Sequence, residues 1–137
     1  MAKRASLTGA WSGAYRYAHN AMPETVFNAQ IEEVAGAFTG AVQEPNLTRP
    51  ALATVATSDI EGVRSGQTVT FTKFYDGSAG MAHAVHYEGS VNAALNRIEG
   101  RWRLAGGESG TFFMTRDDDG EAAEAEERAE ATLGQNR

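Results

Sequence analysis

The side chains best suited to chemistry in this sequence are tyrosines and a lysine at alternate positions within apolar segments. Tyr15 and Tyr17 lie two residues apart, and the segment QTVTFTKFY places Lys73 and Tyr75 in step with Phe71. Because alternate residues of a strand face the same side of a sheet, these polar groups are predicted to share an apolar interior. Phenol hydroxyls and a cation in such a lining could hold a carboxylate or a carbonyl group of a small ligand.

We therefore predict an internal ligand site whose members share an inward-facing position. Burying a lysine without a partner is costly, so Glu44, a water or the ligand is expected to neutralise Lys73. Alternatively, the tyrosines are core residues with hydroxyls at the rim, and Lys73 extends its amine to the barrel mouth. The predicted ligand-binding residues are Tyr15, Tyr17, Phe38, Arg64, Phe71, Lys73, Tyr75, His83 and Tyr87.

Two of these residues, His83 and Tyr87, are also candidates for acid–base catalysis. A histidine in a half-buried cavity has a pKa that its surroundings can easily tune. His83 and His86 are three residues apart on a predicted strand, so they face opposite sides and cannot share a metal ion. We predict no metal site and no cofactor, and the sequence contains no phosphate-binding or dinucleotide-binding motif.

Short strands joined by glycine-rich turns must position these residues. The segment EPNLTRP (44–50) has two prolines and predicts a loop at one mouth. Eight or nine strands with short connections favour an all-β, antiparallel up-and-down barrel. The alternation predicts strands over 7–17, 25–34, 38–43, 51–64 with a bulge or kink at Gly62, 67–75, 82–88, 97–104 and 111–116, and a brief further pairing over 91–95.

Composition and charge limit the function classes. The 137 residues suffice for one domain and include no cysteine. Residues 1–116 hold ten acidic and ten basic side chains, whereas residues 117–137 hold eight and two, so the formal charge of -6 lies in the tail. A balanced body is not expected to bind nucleic acid. The N-terminal MAKRAS is basic but is not followed by the apolar stretch of a signal peptide, and no apolar run is long enough to span a membrane. We therefore expect a cytoplasmic protein without a membrane span.

The same features predict the domain boundaries. A short N-terminal extension covers residues 1–6, and a barrel covers residues 7–116. The remaining segment, 117–137, is rich in alanine and glutamate but has a single large apolar residue, Leu133. It is therefore predicted to be an acidic tail that is disordered or loosely helical.

Gly9, Trp11 and Arg116 carry a resemblance to the calycin superfamily, which includes the lipocalins, the fatty-acid-binding proteins and the avidins. Members share Gly-X-Trp on the first strand and a basic residue near the end of the last strand that packs across the indole. The resemblance implies an up-and-down barrel over roughly residues 7–116. The phrases RSGQTVTFTKFYDG and RIEGRWRL also resemble small bacterial calycin-like proteins of unassigned function. The avidins bring several tryptophans to their biotin pocket, whereas this sequence has only two, so biotin is not the expected ligand. Nitrobindin-like barrels bind haem through a histidine near the C-terminal end, and no histidine follows His86 here, so haem is not expected either.

Three functional hypotheses follow. The first is binding of a small hydrophobic or amphipathic ligand, anionic or carbonyl-bearing, that enters past the loop at 44–50. The second is an enzyme, because calycin-like barrels include cyclases and isomerases; it requires a closed cavity with His83 or Tyr87 near its centre. The third is a structural or oligomerisation module whose interior is filled by side chains. Homo-oligomerisation stays open in each case.

Overall fold

Eight antiparallel strands close into a barrel in the part of the chain that the computed structural model describes, residues 6–19, 22–47 and 49–117. Each strand pairs with the next in sequence, and the last pairs with the first, which leaves no open edge. The predicted all-β up-and-down barrel is confirmed. The strands are β1 (Gly9–Tyr17), β2 (Thr25–Val34), β3 (Ala37–Pro45), β4 (Val55–Ser65), β5 (Thr68–Tyr75), β6 (Ala84–Val91), β7 (Arg97–Arg103) and β8 (Ser109–Arg116).

The third strand is longer than the sequence predicts, and this difference affects the site. Glu44 and Pro45 belong to β3 and pair with Ala56 and Val55 of β4, so their assignment to a loop is wrong. Proline fits here because the pairing of β3 with β2 ends at Gln43. The extra residues keep the alternation going, so that Glu44 faces the barrel interior and is buried.

Three other predictions about the strands also change. Strand β4 begins at Val55, and its register with β5 is continuous from Ser58 to Ser65, so there is no bulge. Gly62 instead permits close packing, because an added Cβ would lie 2.4 Å from the Cβ of Phe71. Strand β6 begins only at Ala84, and it runs on to Val91. The segment 91–95 therefore adds no ninth strand to the described barrel.

The core fills the inside of the barrel. Val69, Phe71 and Lys73 of β5 are buried while the alternating Thr68 and Thr70 are exposed, as expected for a strand with one covered face. Aromatic rings occupy the middle layer, where the rings of Phe71 and Tyr87 stack with centroids 4.6 Å apart and Phe112 packs edge-on against both. No helix in the described ranges is long and apolar enough to span a membrane.

One end of the barrel, called here the closed end, is sealed by Trp11 and Arg116. The indole nitrogen of Trp11 donates to the carbonyl of Leu7 at 2.8 Å, and the guanidinium carbon of Arg116 lies 4.8 Å from the indole centroid. The Arg116 guanidinium also donates to the carbonyls of Ser6, Thr8 and Leu95. Apart from Ser6 and Asp117, the predicted N-terminal extension and acidic tail lie outside the described residues.

Candidate functional site

A buried carboxylate, that of Glu44, accepts three hydrogen bonds at the other end of the barrel, called here the mouth. Tyr15 Oη donates to Glu44 Oε2 at 2.5 Å, and Lys73 Nζ and Tyr75 Oη each donate to Glu44 Oε1 at 2.9 Å. The side chains of Lys73 and Glu44 are only 3% and 2% exposed. The sequence predicts that Glu44, a water or the ligand neutralises Lys73, and in the structure Glu44 forms this ion pair.

The register of three strands explains how this ion pair forms. Glu44 on β3 lies opposite Ala56 of β4, and Lys73 on β5 lies opposite Ile60 of β4. Both side chains face the interior from the two strands that flank β4. The buried residue of β4 between Ala56 and Ile60 in this register is Ser58.

The ammonium of Lys73 also faces aromatic rings. Lys73 Nζ lies 4.8, 4.6 and 5.6 Å from the ring centroids of Tyr15, Tyr75 and Tyr87. Burial lowers the pKa of Lys73, and the charge and hydrogen bond of Glu44 act in the opposite direction. The ion pair and the ring faces thus stabilise the charged form of Lys73, which burial disfavours.

The phenols around the ion pair remain protonated over the ordinary pH range. Burial raises the pKa of Tyr15, Tyr75 and Tyr87, and the negative charge of Glu44 raises the pKa of each further. The pKa of the half-buried Tyr17 is raised by burial as well. These groups are therefore suited to donating hydrogen bonds, and less suited to acting as bases.

The space inside the barrel is small. A cavity of about 10 Å³ lies beside Lys73, which is close to the volume that one water needs. A larger ligand can enter only if side chains move. The cavity is lined by Phe27, Ala29, Val42, Ile60, Phe71, Lys73, Tyr87 and Met114.

A much larger concavity lies on the outer wall instead. It is an open groove of about 880 Å³ over β1 and β4 to β8, and its lining includes Arg16, Arg101 and Arg103. These three side chains are exposed, and Arg16 forms a 3.4 Å ion pair with Glu24. Solvent screens such charges, and the groove does not contain the buried ion pair. We therefore place the candidate site at the mouth.

The structure brings together five of the nine residues predicted from the sequence. Tyr15, Lys73, Tyr75 and Tyr87 surround the ion pair, and the Tyr17 ring lies 6.0 Å from that of Tyr15. Phe71 lies one layer deeper, stacked on Tyr87.

The other three predicted residues do not reach the ion pair. Phe38, near the start of β3, is buried against Phe71 at 5.8 Å. Arg64 lies near the closed end of β4, away from the ion pair, and binds Glu33 at 2.8 Å. His83 precedes β6 and is exposed, with its ring 4.9 Å from that of Tyr75. Its predicted inward position is wrong, because the strand alternation does not extend back to it.

Two site residues are missing from the sequence prediction. Trp102 packs edge-on against Tyr17 at 5.0 Å, and its indole nitrogen donates to the carbonyl of Arg16 at 3.0 Å. Ser58 is fully buried, and its hydroxyl is the one buried side-chain polar atom without a hydrogen-bond partner in the described ranges. The available signal for Trp102 is the alternation along β7, which sets it on one face with Ile98 and Leu104, opposite a charged face. The segment that forms β4 gives no comparable signal for Ser58, because it mixes small and β-branched residues.

A buried asparagine ties together two loops beside the mouth. Asn46 Nδ2 donates to the carbonyls of Arg49 and Ala53 at 2.8 Å each, and to that of Ala79 at 3.2 Å. Leu52 on the same loop is 59% exposed, so an apolar side chain stands at the rim. Within residues 6–19, 22–47 and 49–117, no group of three or more histidine, aspartate or glutamate side chains could hold a metal ion.

Comparisons with known proteins support the fold. No protein-family model and no curated protein sequence matches the chain. A redesigned β-barrel matches with a TM-score of 0.66 and 11% identity, over 80% of this chain and 90% of the other. The redesigned barrel mFAP1 bound to DFHBI has a TM-score of 0.60 and 12% identity, over 80% and 94%. A de novo fluorescence-activating barrel has a TM-score of 0.57 and 12% identity, over 80% and 92%.

The fold is a small closed β-barrel. At identities of 11 to 12%, these three similarities concern the fold alone. The function must be inferred from the residues at the mouth.

Proposed function

We propose that this barrel binds one small, largely apolar and neutral ligand, and that the Lys73–Glu44 pair recognises a carbonyl group on it. The observation that carries the proposal is the buried ion pair itself, ringed by three tyrosines at the mouth. Replacing a buried ion pair by apolar side chains is often neutral or stabilising, so folding alone does not require it. Convergent polar groups in an apolar lining are typical of a ligand site.

The ion pair favours a neutral ligand over an anionic one. Glu44 already balances the charge of Lys73, so an added carboxylate would be an uncompensated charge in a dry interior. Lys73 has three N–H donors and gives one to Glu44. A carbonyl oxygen can accept another without disturbing the charge balance. Of the two ligand classes that the sequence leaves open, we therefore favour the carbonyl-bearing one.

Entry of the ligand requires movement at the mouth. The internal cavity of about 10 Å³ is too small for an organic molecule. Tyr17 and Tyr75 are half-buried, and both lie at the mouth ends of their strands. Their rotation would join the cavity to solvent, and we propose this route for entry past the loop that follows β3.

Two further observations support a binding barrel. The barrel mFAP1, of similar fold, is bound to the dye DFHBI. We also propose a relationship to the calycins, because Gly9, Trp11 and Arg116 form at the closed end the contact that characterises them.

The test is a titration with prodan, a neutral aromatic ketone whose fluorescence reports its surroundings. We expect saturable binding by the intact protein. A naphthalene carboxylate of matched size should bind at least tenfold more weakly, because its charge is not balanced in the site. Lys73→Met should reduce ketone binding, whereas Arg101→Met on the outer wall should not. Failure of every probe to bind would overturn the proposal, and preference for the carboxylate would overturn its ligand class.

The small cavity favours a second candidate function, a structural or oligomerisation module. In that case the interior is a packed core, and the protein binds none of the probes. Dimerisation in sedimentation velocity, combined with no probe binding, would support this alternative.

A further inference from the structure

The hydroxyl of Ser58 is fully buried and has no hydrogen-bond partner within the described residues. A buried hydroxyl that makes no hydrogen bond destabilises a fold, because its bonds to water are lost and not replaced. Alanine at this position would avoid that cost with nearly the same volume. The folded chain by itself gives no reason for a serine here.

The location of Ser58 suggests what its hydroxyl serves. On β4 it lies between Ala56, which is opposite Glu44, and Ile60, which is opposite Lys73. In the strand register Ser58 thus lies between the positions of β4 that face Glu44 and Lys73, and its hydroxyl forms no hydrogen bond with this ion pair.

Two neighbours of Ser58 also border the internal cavity. Val42 lies directly across from Ser58 on β3, Ile60 follows it on the inward face of β4, and both line the cavity together with Lys73. A serine hydroxyl changes direction by rotating about one bond. An acceptor atom placed between the cavity and the ion pair would thus come within reach of both the Ser58 hydroxyl and the Lys73 ammonium.

We propose that Ser58 is a specificity-determining residue, and that its hydroxyl and the Lys73 ammonium together donate to one carbonyl oxygen of the bound ligand. The proposal rests on the binding function proposed above and narrows the ligand class to molecules whose oxygen accepts two hydrogen bonds. Ketones, amides and lactones meet this requirement, whereas hydrocarbons of the same shape do not. A site with an unpaired donor strongly rejects a molecule that lacks the acceptor, since the Ser58 hydroxyl then stays buried without a hydrogen-bond partner.

The experiment compares Ser58→Ala with Ser90→Ala, which removes an exposed serine hydroxyl from β6. Thermal unfolding and prodan affinity are measured for both variants and the unmodified chain. We expect Ser58→Ala to unfold at the same or a higher temperature without ligand, yet to bind prodan about tenfold more weakly. We expect Ser90→Ala to leave prodan affinity unchanged.

A spectroscopic measurement distinguishes a direct contact from a packing effect. Loss of one donor to the ketone should raise the C=O stretching frequency of bound prodan in Ser58→Ala and leave it unchanged in Ser90→Ala. If Ser58→Ala binds prodan as tightly as Ser90→Ala, with the same stretching frequency, the role of Ser58 is overturned and the proposed function survives. If Ser58→Ala lowers the unfolding temperature, the hydroxyl has a structural partner and the role is also overturned. If the unmodified chain does not bind prodan, both proposals fail.

Discussion

Replacing Glu44 by glutamine should destabilise the fold strongly, because Lys73 would keep its charge in a dry interior with no ionic partner. Coulomb's law at 2.9 Å, with an effective dielectric constant of about 20, gives an attraction of about 6 kcal/mol. Measured costs of removing one partner of a buried pair are about 3 to 5 kcal/mol. We therefore expect Glu44→Gln to lower the free energy of unfolding by about 4 kcal/mol at pH 7.

The loss should shrink as the pH rises. Burial lowers the pKa of Lys73 in the folded protein, and without Glu44 the attraction that opposes this effect is gone. The unfolded chain then holds its lysine proton up to about pH 10, whereas the folded chain releases it at lower pH. Since the unfolded state binds more protons in this range, the stability of the variant rises with pH. At about pH 9 the variant should have recovered a measurable part of the loss.

Urea unfolding at both pH values, followed by tryptophan fluorescence, measures these changes. With a slope of about 2 kcal/mol per molar urea, the pH 7 midpoint should fall by about 2 M. The matched control is Glu99→Gln, which removes an exposed partner of Arg97 and should cost less than about 1 kcal/mol. Glu44→Gln combined with Lys73→Met should recover most of the stability. A loss below about 1 kcal/mol in Glu44→Gln, with no dependence on pH, would refute the buried ion pair.

Three further changes test other parts of the structure. Arg116→Gln should lower the free energy of unfolding by about 3 kcal/mol, because it removes the ring contact with Trp11 and leaves carbonyls of the closed end without donors. Urea unfolding measures this change, and a loss below about 1 kcal/mol would contradict the prediction. Gly9→Ala should lower the free energy of unfolding by about 1 to 3 kcal/mol in the same assay, because Gly9 has a φ of 143° and an added Cβ would lie 2.9 Å from Arg116 Nη1. Full stability in the variant would contradict this backbone conformation. Burial raises the pKa of Tyr15, Tyr75 and Tyr87, so the stability that they contribute should be fully present below about pH 10 and fall as the pH rises further. Tyrosinate absorbance should therefore increase together with unfolding. Ionisation of all four tyrosines near pH 10 in the folded protein would contradict their burial.

Strand alternation accounts for most of what the sequence could predict. The segments around Trp11, Phe27 and Phe71 alternate cleanly, and the structure has a strand at each of them with these side chains inside. Such alternation is a local property, since each residue pair needs only the pleat of its own strand. The short turns between these strands then favoured consecutive pairing.

The errors occur where a strand ends, because strand ends depend on the neighbouring strands. Glu44 is adjacent to proline and looked like a loop residue, but the end of pairing with β2 makes that proline harmless. His83 follows the alternation of Val85 and Tyr87 in the sequence, yet lies just before the strand and is exposed. Arg64 keeps its place in the pattern of β4 but reaches Glu33, which lies 31 residues away in the sequence.

The candidate site depends on contacts that no local pattern encodes. The three donors to Glu44 come from β1 and β5, which are not neighbours of each other in the barrel. Only closure of the barrel brings Tyr15 within 2.5 Å of the carboxylate. The cost of burying a lysine predicts that Lys73 needs a neutralising partner, and Glu44 is one of the three partners that the sequence allows. The arrangement of the remaining tyrosines could not be inferred.

A crystal structure of the protein soaked with prodan tests the proposed function most directly. We expect density for one molecule inside the mouth, with its ketone oxygen within hydrogen-bond distance of Lys73 Nζ and with Tyr17 or Tyr75 displaced from its position in the free protein. Density confined to the outer groove beside Arg101, with the interior packed as in the free chain, would contradict it.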